Sequence, residues 1–380
     1  MAHPPRTVTK VHIMPTLRKK PKAPNAPQVI LDEVSPYQSR RLTVEFDGVT
    51  TAAYLADERG AITAAVWLAN HVVAPHTTDL GRLNAGQAPV MPAGNTKNPK
   101  GTPPLDRAAL EVCWFEEGDG VALLESGRPL AVIPGWASSD KGMPGYSRDA
   151  IDQTPFAWAL DEALEGLGPR IERAQAYWRW RRGQGAWGGF QQAVLGHLLN
   201  RLGPGAQYWD TGRERLPMVG ITERPPTNNR PFTVLSTVGM SCQRMPVVEQ
   251  LVDDARDYGR VELALATSKP AQEAARIFLW LAQYPWRACT WFGPGHSVKW
   301  YHDASTFPLG GGDTGVLLLD DPERLTGPQP PDLSGFTFGG DPVRWLWLVP
   351  INEEERAVAR QRGSASLITQ LTAENRSWVS

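Results

Sequence analysis

Residues 343–355 read Val343-Arg-Trp-Leu-Trp-Leu-Val349, then Pro350-Ile, then Asn352-Glu-Glu-Glu355. The first seven are apolar apart from Arg344 and rich in aromatic and β-branched side chains, which predicts a core strand closed by Pro350. Asn352 with Glu355 three positions on is a capping box, so a helix starts where the strand stops. Gly363 ends that helix, and Ser364 is placed to cap a last one. Working back toward the amino terminus, Val316-Leu-Leu-Leu319 is continuous enough for a buried strand, ended by Asp320-Asp321-Pro322. Val261-Glu-Leu-Ala-Leu265 reads as a half-buried strand, and Phe232, Val234, Ser236 and Val238 form one face of another. Between them, residues 269–283 predict a helix with Ala271, Ala274, Phe278 and Leu281 inward.

The first half alternates in the same manner. Leu42 to Phe46 has a period of two and ends at Asp47-Gly48, a hairpin signal. Strand-like runs follow at Thr50 to Leu55, Ala61 to Leu68, Leu110 to Phe115, Gly120 to Leu124 and Pro129 to Ile133. Ala74 to Pro104 is dominated by Pro, Gly, Asn and Ala and is too long for an ordinary connection. Phe156, Leu160 and Leu164 then repeat at i+4. Gly166-Leu-Gly168-Pro169 interrupts the pattern, and Pro169 suits the first turn of a second helix carrying Ile171, Ala174 and Trp178. A third helix holds Phe190, Val194, Leu198 and Leu202 and stops at Gly203-Pro204.

The fold class that follows is α+β, as two α+β modules, each a mostly antiparallel or mixed sheet with packed helices. The expected division is a disordered basic tail over 1–37, an amino-terminal module over 38–203 and a second module over 204–380. A chain of 380 residues supports two cores. Gly and Pro number 36 and 34, about 18% together against an average near 12%, so turns and long loops are frequent. A formal net charge of -1 supplies no field for nucleic acid. Residues 1–28 hold six Lys or Arg and no acid, which is no secretory signal. No apolar run reaches the length of a membrane span. Three separated cysteines, Cys113, Cys242 and Cys289, fit a reducing, cytoplasmic setting better than a disulfide framework.

Catalytic and metal chemistry find little purchase. His296, His302, Asp303 and Cys289 lie close in sequence, but no HExxH or paired-Cys spacing frames them. No metal and no cofactor are expected. Ser138 and Ser139 sit in a loop without a GxSxG elbow, and Cys289 reads as a small packed residue. The Gly-rich run Leu309 to Gly315 lacks the Lys-Ser/Thr of a phosphate loop. Tyr177-Trp-Arg-Trp-Arg-Arg182 is aromatic and basic, yet it falls at a helix end where Arg is favoured by the dipole. No catalytic residue is assigned.

The second half resembles the suppressor of fused family. The resemblance rests on Phe232 to Ser241, Arg260-Val-Glu262-Leu263, the helix with Trp280-Leu281, Gly295-His296-Ser-Val-Lys-Trp300, Val316 to Leu319, and Trp345 to Glu355, in that order. It covers about residues 205–375. The resemblance implies a non-enzymatic, protein-binding function, and the compact form of the motifs looks bacterial. Bacterial members look like immunity proteins that neutralise a cognate polymorphic toxin, so the implied partner is a protein, with no nucleic acid and no membrane. The alternative is a hydrolase with its active site in the first half, around the long loop.

The count of 15 Trp is high, and Trp either packs in a core or anchors an interface. Tyr284, Trp286, Trp291, Phe292, Trp300 and Tyr301 fall within twenty residues. A strand pair absorbs about three of six, and Gly293-Pro294-Gly295 keeps its neighbours near the surface. The expectation is a hairpin with His296 at its tip, contributing Trp291, His296, Trp300 and Tyr301 to partner binding.

Overall fold

The computed structural model describes residues 27–211 and 215–380. Four strands, β1 (Gln28–Val34), β2 (Arg40–Phe46), β3 (Thr50–Asp57) and β4 (Ile62–Asn70), form an antiparallel meander. Residues 28–34, expected to be part of a disordered tail, instead pair with β2; the remainder of that expectation, residues 1–26, lies outside the described residues. Asp47 makes the predicted turn, its carboxylate accepting from Val49 and Thr50 N–H.

The Pro- and Gly-rich stretch that follows is tied down rather than loose. It carries a short helix, α1 (Leu80–Asn84). The Asn70 amide bonds both N–H and C=O of Met91, and Thr102 N–H donates to Asn70 O. A second sheet, β5 (Leu110–Trp114), β6 (Val121–Glu125), β7 (Arg128–Ile133), β8 (Tyr146–Ser147) and β9 (Trp158–Ala159), lies over the first. Leu42, Val44, Leu55 and Val66 meet Leu110, Trp114, Val121, Leu123 and Ile133 between them. The first module thus holds two sheets where one was expected.

Helix α2 (Leu160–Arg181) covers the outer face of the second sheet, with Leu160, Ile171 and Ala174 on Phe115, Ala122, Leu124 and Val132. It is one helix, not two. Pro169 lies inside it, and burial of the inward stripe on the sheet outweighs the lost hydrogen bond. Phe156 lies before it. Helix α3 (Ala186–Leu202) ends at Gly203, as the sequence predicts.

In the second half the strands are β10 (Tyr208–Asp210), β11 (Gly220–Arg224), β12 (Thr233–Val238), β13 (Arg260–Thr267), β14 (Ser297–Lys299), β15 (Gly315–Leu319), β16 (Thr337–Phe338) and β17 (Asp341–Ile351). Helices α4 (Ala255–Tyr258), α5 (Ala271–Ala274), α6 (Arg276–Leu281), α7 (Tyr284–Ala288), α8 (Glu353–Arg362) and α9 (Ser364–Ala373) complete it. Among the described residues these strands make one mixed sheet, ordered β10-β11-β12-β13-β17-β15-β14, with β16 on β17 and only the β13–β17 pair parallel along that path.

Both faces of this sheet are covered, and β17 shows the alternation. Val343, Trp345, Trp347 and Val349 face α3 and α9, while Leu346 and Leu348 face α5, α6 and α7. That corrects three expectations. Strand β13 is buried on both faces rather than one. Pro350 lies within β17, opposite Val316, instead of ending it. The stripe of α3 packs on the mixed sheet of the second half, so the division of cores precedes α3 and does not fall at 203/204. The Asn352 capping box is present, whereas Ser364 is the first residue of α9 and caps nothing. No helix among the described residues is long and apolar enough to cross a membrane.

The two modules meet at the β5–β6 turn. Glu116 reaches Arg260 at 2.7 Å, and Arg260 and Arg244 share Asp341 at 3.0 and 2.7 Å. Next to them Asp119 accepts from Val247 N–H and is otherwise enclosed. Burial, with Glu117 adding repulsion, pushes its carboxyl up to about 6. A carboxyl raised on folding adds stability below its unfolded value near 3.8 and loses that contribution as pH rises through about 6. Asp119→Asn is therefore expected to be more stable than the parent at pH 7 by ~1–3 kcal/mol. That advantage should shrink toward zero by about pH 4, as read from urea unfolding at both pH values.

Candidate functional site

The aromatic segment begins as a helix rather than a strand. Tyr284–Ala288 forms α7, with Pro285 at its first turn, and only residues 297–299 are strand, paired with β15. The expected hairpin is thus a helix, a turn and one short strand. Gly295 turns the chain at φ 82°, where a Cβ would meet Ser364 Oγ at 2.5 Å.

Of the six aromatics, Trp286, Phe292 and Trp300 are buried, Tyr284 and Trp291 are half-buried, and Tyr301 is 66% exposed. Trp300 is 5% exposed. It stands edge-on to Trp280 at 5.1 Å, and its indole N–H donates to Thr306 Oγ1 at 3.1 Å. Expected on a partner surface, Trp300 is instead buried against Trp280 and leaves no face exposed for such a role. Tyr301 lies on top, 6.2 Å from Trp280, with its hydroxyl 3.3 Å from that of Tyr284. The shared hydrogen bond, with burial, pushes the Tyr284 phenol up to about 12.

Trp291 and His296 pair edge to face at 4.7 Å. Gly293 N–H donates to His296 Nδ1 at 3.2 Å, which leaves the ring proton on Nε2. Burial holds His296 below its ordinary value, so the ring is neutral at pH 7. Tyr284 stacks on Phe292 at 6.0 Å and lies 6.3 Å from Tyr301. Tyr301, Tyr284, Phe292 and Trp280 therefore form one aromatic band, with Trp300 buried against Trp280, while Trp291 and His296 pair with each other.

Leu279 is 57% exposed beside the band, and the sequence reading missed it. The signal was available: Arg276-Ile-Phe-Leu-Trp-Leu281 has more apolar residues than one helix face can bury. The other candidates disperse. His302 packs on Trp300, Asp303 caps a turn at Ser305, and the Cys289 thiol is raised by burial. Among the described residues no group of three or more His, Cys, Asp or Glu could hold a metal ion.

Residues 213–380 match the family model of the suppressor of fused protein (SUFU), and the carboxyl-terminal half is a domain of suppressor-of-fused type. No curated protein matches the chain. A putative SUFU homologue from Neisseria gonorrhoeae is similar at 18% identity, over 50% of this chain and 93% of that one, with TM-score 0.37. The Sufu–Fu complex gives 13% identity, 47% and 82% coverage and TM-score 0.34. Drosophila Suppressor of Fused gives 13%, 39% and 37%, with TM-score 0.26.

Burial separates the two neighbouring residues energetically. Trp300→Ala is expected to cost ~3–5 kcal/mol, since it opens a cavity under Trp280 and Phe307. Tyr301→Ala is expected to cost less than about 1 kcal/mol in the same denaturant titration.

Proposed function

With residues 213–380 a domain of suppressor-of-fused type, we propose that this chain is a non-enzymatic protein-binding module that grips its partner through the aromatic band. The observation carrying this reading is the layering at residues 279–301. Exposed Tyr301 stands by Trp280 and half-buried Tyr284, and exposed Leu279 lines a hollow with Trp280 and the buried Trp300. Aromatic anchors held rigid from below lose little entropy on docking, which is how interface hot spots are built. The partner is a protein in a cytoplasmic setting. In the bacterial context that the motif resemblance implies, it is a cognate toxin, neutralised by occlusion.

The hydrolase reading finds a pocket but no base. Ser139 lines a hollow of about 230 Å³ with Tyr54, Trp67, Pro89 and Phe156, to which the long loop contributes. No His, Asp, Glu, Lys or Cys lines it, so nothing there activates the hydroxyl. Elsewhere in the first half, His71 is engaged by Thr51 and Thr102.

The test is co-purification of the tagged chain with the product of the adjacent reading frame. The parent is expected to retain that protein. The double variant Leu279→Ala/Tyr301→Ala is expected to lose at least ~100-fold in affinity at an unchanged melting temperature. Equal binding by parent and variant would remove the band from the interface.

A further inference from the structure

Among the described residues, strand β5 has one free edge. It pairs with β6 at Leu110↔Glu125 through Trp114↔Val121, and Phe115 N–H to Gly120 O and Ser126 N–H to Ala109 O bracket that ladder. In this register the odd-numbered residues spend their main-chain groups on β6, and those of Leu110, Val112 and Trp114 point away from it. Two outward carbonyls are taken by side chains, Leu110 O by Arg107 and Trp114 O by the Trp178 indole. Among the described residues, Val112 N–H, Val112 C=O and Trp114 N–H have no protein partner.

These groups open into a groove of about 450 Å³ between β1 and the last turns of α2. Its α2 wall carries Arg179 and Arg182, both exposed and, among the described residues, in no ion pair, while exposed Glu111 of β5 also lines it. Arg182 reaches far enough in to pull down the Cys113 thiol, which burial raises to about 11. Glu33, on the opposite wall, is occupied by the Trp114 indole at 3.1 Å. The aromatic-basic segment 177–182 thus divides its work: Trp178 closes the groove floor, and Arg179 and Arg182 face the open groove.

We propose that this groove takes an extended segment of a partner protein as an added strand on β5, with acidic side chains at alternate positions facing Arg179 and Arg182. Free main-chain donors and an acceptor in one row fit an extended peptide, and alternate side chains of such a strand fall on the α2 side. Two unpaired guanidinium groups select carboxylates. The chain's own residues 1–26 carry six Lys or Arg and no acid, so charge disfavours them as the occupant. The surface is separate from the aromatic band and stands or falls independently of it.

The probe is a phage-displayed random peptide library selected on the full chain. Recovered peptides are expected to carry Asp or Glu at alternate positions. A synthetic consensus peptide is expected to bind Arg179→Glu/Arg182→Glu at least ~10-fold more weakly. Val112→Pro removes only the outward N–H and keeps the bonds to β6, and is expected to weaken binding similarly at an unchanged melting temperature. Tyr301→Ala should leave that affinity unchanged. Failure to select an acidic consensus, a peptide indifferent to the charge reversal, loss of binding in Tyr301→Ala, or preferential binding of a peptide of residues 1–26 would each overturn the proposal.

Discussion

Arg260 joins the two modules. Its guanidinium, 3% exposed, spans Glu116 from the β5–β6 turn and Asp341 at the start of β17. Arg244 grips the same Asp341 through both nitrogens and takes Glu116 on its backbone N–H. Burial pushes both carboxyls up. At Asp341 the two guanidinium groups more than offset it and hold the group below its ordinary value, whereas Glu116 stays above. Loss of either partner would leave a buried charge unpaired, a far larger penalty than loss of a surface pair. The stabilisation from Asp341 is present above its unfolded value near 3.8 and fades as pH falls through the folded one.

Around this junction the packing permits one arrangement. Tyr37 from the β1–β2 turn sits between Trp178 of α2 and Trp286 of α7, at 6.0 and 6.2 Å, and donates to Glu116 O. Gly118, at φ 78°, passes under the Tyr37 ring, where a Cβ would approach to 2.2 Å. Glu262, one turn of the pleat from Arg260, accepts from Thr237, from Gly239 and from both N–H and hydroxyl of Ser241. A buried carboxylate satisfied this fully fixes the end of β12 against β13. The motif Arg260-Val-Glu262-Leu263 is thus a brace: one charge holds the neighbouring module and the other holds the neighbouring strand.

The two surfaces proposed for binding are built in opposite ways. At the aromatic band, α6, α7 and β14 leave Leu279 and Tyr301 over a packed floor, because the helices are too short to bury every apolar side chain they carry. At β5 the sheet ends beside a helix that overruns it, which leaves main-chain groups and two guanidinium groups beside one another. One surface offers apolar area and the other directional hydrogen bonds and charge.

Local pattern was enough for the elements whose signal lies within a few residues. The Asp47 turn, the stripe and stop of α3 and the Asn352 capping box follow from side chains acting on adjacent backbone. The proportion of buried to exposed aromatics in 284–301 was also legible, since a short element has only so much inward face. Other features depended on residues distant in sequence. Only the tertiary structure decided that α2 runs through Pro169, because the sheet beneath it supplies the compensating burial. It alone placed α3 on the mixed sheet of the second half and took Trp300 from surface to floor under Trp280. It also made Arg260, Glu116 and Asp341 one network, since nothing in a linear sequence says which buried charges will meet.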